Sequence, residues 1–319
     1  MLILSGLAAL VVGAELLVRA SARLARRLGV APMIIGLTIV AIGTSAPELA
    51  IGIDAALIGA GDIVVGNIAG TNVVNLMLIL GFSALLRPLP LHGRTLRLDL
   101  PMMSLTAVVL LALVADRRLS RLDGALLVAI AVGYTVVIVR SSRRESADVR
   151  LEYEEETPPP AHGHSAGMIA AECCVLLAGI VVIVTGADWL VNGAVDFARR
   201  FGVSEAVIGL TIVAVGTSAP EFATMVVATI RDHRDVAVGN LIGSSVYNIA
   251  LILGVTALVP SDGVELAAQL VRIDLPLMVA AVLVCVPAFV SGRELTRLEG
   301  GSFVLAYLVY LGYLLFVRT

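Results

Sequence analysis

Long apolar runs follow one another along the whole chain, with short polar breaks between them and one long polar stretch at 141–165. Ten runs lie near residues 2–19, 32–58, 63–86, 98–115, 123–139, 167–190, 205–229, 236–259, 272–290 and 301–317. Each approaches the roughly 20 residues that a helix needs to cross the hydrocarbon core of a bilayer. The pattern predicts an all-α polytopic membrane protein with ten transmembrane helices. Composition agrees: hydrophobic residues fill 59% of the 319 positions and charged residues 15%, too few to clothe a water-soluble bundle of this size. Lipid is therefore the expected main solvent.

The apolar pattern also repeats. Residues 36–48 read GLTIVAIGTSAPE and residues 209–221 read GLTIVAVGTSAPE, identical at twelve of thirteen positions with an offset of 173. The same offset aligns GNIAGTNVVNLMLILG at 66–81 with GNLIGSSVYNIALILG at 239–254, nine of sixteen identical. Fainter echoes pair Gly13-Ala14-Glu15 with Gly186-Ala187-Asp188, and Asp99-Leu100-Pro101 with Asp274-Leu275-Pro276. The chain thus reads as a duplication, with five helices in a first repeat at 1–140 and five in a second at 166–319. An odd number of spans per copy makes the second copy enter the membrane facing the other way, which gives inverted repeats.

Charge orients the frame. All 22 basic residues are Arg, and with the amino terminus outside, fifteen of them fall in inner loops or at inner helix ends. The positive-inside rule then places both termini outside the cell membrane and the polar stretch 141–165 in the cytoplasm. That stretch, SSRRESADVRLEYEEETPPPAHGHS, reads as a solvated linker, although its glutamates or His162 and His164 offer weak metal ligands. The net charge of −3 implies no nucleic-acid partner, and no protein partner is evident. Cys173, Cys174 and Cys285 are too few, and too apolar in setting, for a disulfide framework or a metal cluster; they read as packing residues. No cleavable signal is expected at the amino terminus.

Candidate chemistry lies in the repeated segments. Glu48 and Glu221 are ionisable groups inside apolar runs, where each costs at least about 2.5 kcal/mol to insert and so marks an ion or proton path. Each follows a proline. Pro47 and Pro220 cannot continue a helix ladder, and the discontinuous helices this predicts are tolerated at such depth only beside protein or a wet cavity. Freed carbonyls, the two carboxylates and the hydroxyls of Thr44, Ser45, Thr217 and Ser218 form an all-oxygen set, suited to a hard cation such as Ca²⁺. Asn75 lies about as far after the turn at 60–62 as Glu48 lies before it, so at about 1.5 Å per residue the two share one depth. Glu221 and Asn248 bracket 233–235 in the same way. Asn67, Thr71 and Asn75 fall on one helix face, as do Asn240, Ser244 and Asn248.

Inversion would bring the two sets face to face with formal charge −2, matching one Ca²⁺. Polar glue between helices remains open for Asn67, Asn72 and Asn240. Asp62 and Asp235 read as helix N-caps, Glu15 and Asp188 as local structural pairings, and Asp54, echoed by Val227, is unassigned.

At these two segments the chain resembles the cation/calcium exchanger superfamily, and most closely its prokaryotic sodium/calcium exchanger branch. Members carry G-T-S-x-P-E followed by G-N-x-x-G-[ST]-N in each of two repeats, and the resemblance spans the whole chain. It implies a secondary antiporter that exchanges Ca²⁺ for Na⁺ by alternating access at a shared mid-membrane site, not an enzyme. No cofactor is implied beyond the transported ions. Carried over by motif position, Ca²⁺ would bind the Glu48 and Glu221 carboxylates and the Thr44 and Thr217 carbonyls. Flanking Na⁺ sites would use the Ala41 and Ala214 carbonyls and the Ser45, Ser218, Thr71 and Ser244 hydroxyls, with the Asn75 and Asn248 amides bordering the centre. The resemblance also implies about three Na⁺ per Ca²⁺ and sliding of the first helix of each half. Several relatives carry Asp where this chain has Asn248, which argues against K⁺ cotransport. The alternative is H⁺/Ca²⁺ exchange, with the two glutamates carrying protons, although the G-N-A-x-E-L motif typical of that branch is absent.

Overall fold

The computed structural model describes residues 1–90, 95–156, 166–201, 214–292 and 294–317. It is almost wholly helical. In chain order the helices are α1 (Leu2–Leu28), α2 (Pro32–Thr44), α3 (Ala46–Leu57), α4 (Gly61–Leu86), α5 (Thr95–Asp116), α6 (Arg121–Glu156), α7 (Ala166–Arg200), α8 (Ala214–Thr217), α9 (Ala219–Ile230), α10 (Arg234–Leu258), α11 (Leu270–Val290) and α12 (Arg297–Val317). Among the described residues, seven helices are long and apolar enough to cross a bilayer singly, and α2 with α3, bent by 41° at their break, makes an eighth candidate. The start of the seventh apolar run, including motif residues 209–213, lies outside the described residues, as do Pro158 to Pro160, His162 and His164. Helix α6 continues through the first part of the polar stretch to Glu156, so its 36 residues extend about 54 Å.

Four two-residue strands tie the loops together at opposite ends of the bundle. At one end β1 (Leu89–Pro90) pairs with β4 (Glu294–Leu295); at the other β2 (Arg118–Leu119) pairs with β3 (Val264–Glu265). The β1–β4 end is rich in arginine. There Asp232 meets Arg234 at 2.9 Å and Arg87 at 3.6 Å, while Arg234 donates to the Pro88 carbonyl at 3.2 Å. At the β2–β3 end the Arg118 guanidinium donates to the Asp262 carbonyl, and Asp62 accepts the Ala267 N–H at 2.6 Å. Loops 87–90, 231–233 and 294–296 thus share one end, and loops 58–62, 117–120 and 260–267 the other. That is the alternation expected when each run crosses once.

Asp62 therefore does not cap its helix as its position suggests. Ala60 occupies the cap position without a side-chain cap bond, and the Asp62 carboxylate reaches across to the second half instead. Asp235 likewise stands inside α10, whose N-cap residue is His233. Both acids still stand in the first turn, where the helix dipole favours negative charge.

Helices α1 and α7, the first of each half, pack antiparallel through glycine. A Cβ on Gly13 would lie 2.6 Å from the Ile183 backbone nitrogen, and one on Gly186 would lie 2.8 Å from that of Leu10. Backbones this close need the missing side chain, as small residues supply in membranes generally. Leu10, Ala14, Ile183 and Ala187 form a small apolar cluster of their own, while the main core gathers residues of α2 to α6 and α9 to α12 together with Leu17, Val18, Ala20, Leu24 and Ala25 of α1 and Leu176 of α7.

Candidate ion-binding site

Both halves break a helix at a serine. Ser45 ends α2 with φ −83° and ψ 10°, and Ser218 separates α8 from α9 with φ −85° and ψ 6°. Pro47 and Pro220 then sit in the first turn of α3 and α9, where a missing N–H costs nothing because those donors have no intrahelical partner. Glu48 and Glu221 occupy the same first turns. Each carboxylate thus stands at the positive end of a half-helix near the middle of the molecule.

The opposite wall comes from α4 and α10, and each widens there into a π-helical turn, Val74–Ile79 and Asn248–Leu253. Asn75 and Asn248 lie in these turns. Helix α3 packs against the Asn248–Leu253 turn and α9 against the Val74–Ile79 turn, so each carboxylate-bearing helix faces the amide-bearing turn of the other half. Widened turns of this kind cluster at functional sites. Behind Asn248, Tyr247 is bound by its hydroxyl to Thr135 at 2.7 Å and its ring lies 5.9 Å from that of Tyr134.

Side chains cross between the halves at the centre. The Ser45 hydroxyl donates to Glu221 Oε1 at a long 3.5 Å, and the Thr44 hydroxyl lies 3.3 Å from Asn240 Oδ1. Glu48, Glu221, Thr44, Ser45, Asn75, Asn240, Ser244 and Asn248 are all 0% exposed, with Thr71, Thr217 and Ser218 also buried. Yet the polar atoms are largely unsatisfied. Both oxygens of Glu48, Oε2 of Glu221, both amide atoms of Asn75 and of Asn248, and the hydroxyls of Thr71, Ser218 and Ser244 make no hydrogen bond. A buried carboxylate without a partner costs several kcal/mol, so this arrangement calls for a cation. Every donor available to one is oxygen, and among the described residues no cluster of three or more His, Cys, Asp or Glu exists to favour a softer metal.

The family model for sodium/calcium exchanger proteins matches residues 1–140 and 172–316. The chain belongs to the sodium/calcium exchanger family. It falls in the prokaryotic branch of the cation/calcium exchanger superfamily, a family of multi-pass membrane antiporters rather than enzymes. A putative antiporter, CaxA of Alkalimonas amylolytica, is 36% identical over 98% of this chain and 97% of its own. The sodium/calcium exchanger MaX1 of Methanosarcina acetivorans is 31% identical over 99% and 98%. The solved sodium/calcium exchanger of Methanococcus jannaschii superimposes with a TM-score of 0.81 at 26% identity, covering 98% of this chain and 96% of that one.

Of the expected site residues, Glu48, Glu221, Thr44, Ser45, Thr217, Ser218, Asn75, Asn248, Thr71 and Ser244 are all buried on the elements just described. The Ala41 carbonyl accepts the Ser45 N–H at 3.2 Å and the Thr44 hydroxyl at 3.4 Å, and Ala214 opens α8. Asn67 is only half-buried, with a buried, unpartnered Nδ2. Asn72 donates to the Ile68 carbonyl at 3.0 Å, a bond within its own helix. Asn240, which spacing left open between glue and site, reaches Thr44 and keeps an unpartnered Nδ2. Thr224, one turn beyond Glu221 and also buried without a partner, went unnoticed because its first-half echo is Ile51.

Proposed function

We propose that the protein is a Na⁺/Ca²⁺ antiporter whose two ions compete for one site between Glu48 and Glu221. The observation that carries this reading is the pair of fully buried, largely unpartnered carboxylates facing each other across the halves. Their combined charge of −2 balances one Ca²⁺. Hydroxyl, amide and carbonyl oxygens around them suit Na⁺, which would take the flanking positions built from Ser45, Ser218, Thr71, Ser244 and the Ala41 and Ala214 carbonyls. Shared ligands prevent both ions from binding at once, and that exclusion enforces exchange.

Ten spans in two inverted five-helix repeats form the frame of this reading. The antiparallel packing of α1 on α7 supports it, since equivalent helices of inverted copies must run in opposite directions. So does the gathering of loops at alternate ends. The arginine-rich end is assigned to the cytoplasm of a cell membrane, with both termini outside and 141–165 joining the halves on the inner face. The ions are cargo, and no cofactor takes part.

Purified protein in liposomes tests the reading. Radiolabelled Ca²⁺ should accumulate when an outward Na⁺ gradient is imposed and stay near background under a pH gradient alone. Uptake that follows pH and ignores Na⁺ would replace the proposal with H⁺/Ca²⁺ exchange.

A further inference from the structure

An inverted repeat has two conformations related by exchanging the roles of its halves, and any difference between equivalent positions biases one against the other. The present conformation is visibly one of the two. Helix α1 lies along α9 at the arginine-rich end, whereas α7 and α3, the equivalent pair at the other end, make no comparable contact among the described residues. The α1–α7 pair is also tied together along its length. It has its own apolar cluster, and Arg23 and Arg27 bind Glu172 at 2.8 and 3.4 Å, tying one helix to the other.

Besides apolar packing through Ala219, Ala223 and Val227, an ion pair joins this unit to α9. The Arg231 guanidinium, just past the end of α9, grips Glu15 of α1 with one hydrogen bond of 2.9 Å, Nε to Oε2, and an ion-pair contact of 2.9 Å from Nη2 to Oε1. Arg19, one turn further along α1, binds the same carboxylate. The offset of 173 carries Glu15 to Asp188, Arg19 to Asn192 and Arg231 to Ile58. There the arrangement fails: Asp188 accepts a bond from Asn192 on its own helix at 3.0 Å, and Ile58 is an exposed apolar side chain with no charge to offer.

We propose that the Glu15–Arg231 pair is a latch, which holds the exchanger closed at its arginine-rich end and has no counterpart in the opposite state. The inference rests on the two-state antiport proposed above. A charge-assisted hydrogen bond is stronger than a neutral one, but Glu15 is 22% and Arg231 53% exposed, so water and salt moderate its strength.

The test reads conformation rather than transport. In a background with the three native cysteines replaced by Ala, Val227→Cys places a thiol on α9 where it packs against the α1–α7 cluster. A membrane-impermeant maleimide supplied from the arginine-rich side should label it about threefold faster in Glu15→Gln or Arg231→Gln, the scale of a part-exposed pair. Adding Ile58→Arg to Glu15→Gln gives Asp188 a partner at the equivalent place, and should raise labelling again while the melting temperature holds. Labelling unchanged in either single variant overturns the latch. So does an increase that Ile58→Arg fails to extend, because loosened packing alone predicts that result. Because labelling needs no transported ion, a latch that behaves as expected in a protein without Na⁺-driven Ca²⁺ flux would sink only the exchange reading.

Discussion

Glu48 and Glu221 have different company despite their symmetric places: Glu221 takes one long bond from Ser45, and Glu48 takes none from any side chain. Neutralising either should weaken Ca²⁺ binding by about tenfold or more, a loss of roughly 1.4 kcal/mol or greater. Glu48→Gln and Glu221→Gln should also bring Ca²⁺ flux to background. Stability should move the other way. Without cations, an amide is cheaper to bury than an unpaired carboxylate, so the ion-free variants should melt no lower than the native protein. Calorimetric Ca²⁺ titration and thermal melting check both halves; native affinity in either variant would place the ion elsewhere. Asn248→Asp asks the converse question of the same centre. If the added acid ionises, Ca²⁺ should bind more tightly and turn over more slowly; if it stays protonated, it mimics the amide and Na⁺-driven flux should hold near neutral pH.

These residues were legible because the chain states them twice, each after a proline that must break a helix. Thr224 was not, since Ile51 stands at its echo and repetition was the guide.

The elements divide along the same line. Apolar length foretold the helices, and Pro47 foretold the break that bends α2 from α3. The π-helical turns at 74–79 and 248–253 left no mark in composition, because an i→i+5 turn is imposed by packing rather than chosen by propensity. They change the simple i, i+4, i+8 face on which Asn75 and Asn248 were placed. The two-residue strands were equally silent, being too short to show alternation. Partner choice also lay beyond the pattern, for the apolar stripe of α1 does not say that α7 will meet it.

Glycine makes that meeting possible, so Gly186→Val should push α1 from α7 and lower the melting temperature. A β-branched side chain there would have to displace backbone near Leu10, at a cost of about 1–3 kcal/mol. Gly133→Ala, at a helix position with nothing within 4 Å of the added carbon, is the matched control.

The turn after α9 supplies a pH dependence. Asp232 adopts φ 64° where the first half uses Gly59 at φ 73°, and beside it His233 is half-buried. Burial holds the His233 imidazole below its ordinary value near 6.5, Arg26 adds to the effect, and Asp232, Asp235 and Glu15 oppose it. The unfolded chain therefore takes up this proton first as pH falls, and the folded state loses stability through the window just below about 6.5. His233→Asn should flatten the fall in melting temperature between about pH 7 and pH 5.5; an unaltered slope would show that the window belongs to other groups.

At the scale of the whole molecule, the separation of charge decides what one cycle moves. Acidic and basic loop residues pair at the arginine-rich end of the bundle, and the central motifs carry two carboxylates with neutral Asn75 and Asn248 beside them. One Ca²⁺ cancels the central charge of −2. Three Na⁺, the number the family resemblance implies, would leave the loaded site at +1, so a complete cycle would carry one net positive charge across the bilayer. A membrane potential is worth about 2.3 kcal/mol per charge per 100 mV, enough to bias exchange nearly fiftyfold. Na⁺-driven Ca²⁺ flux should therefore change steeply in liposomes clamped at different potentials with an ionophore for a bystander cation. It should be indifferent to K⁺ on either side, since no third acid replaces Asn248. Flux insensitive to voltage would mean that two Na⁺ balance each Ca²⁺, and one of the proposed flanking positions built around Ser45, Ser218, Thr71 and Ser244 would then have to stay empty during transport.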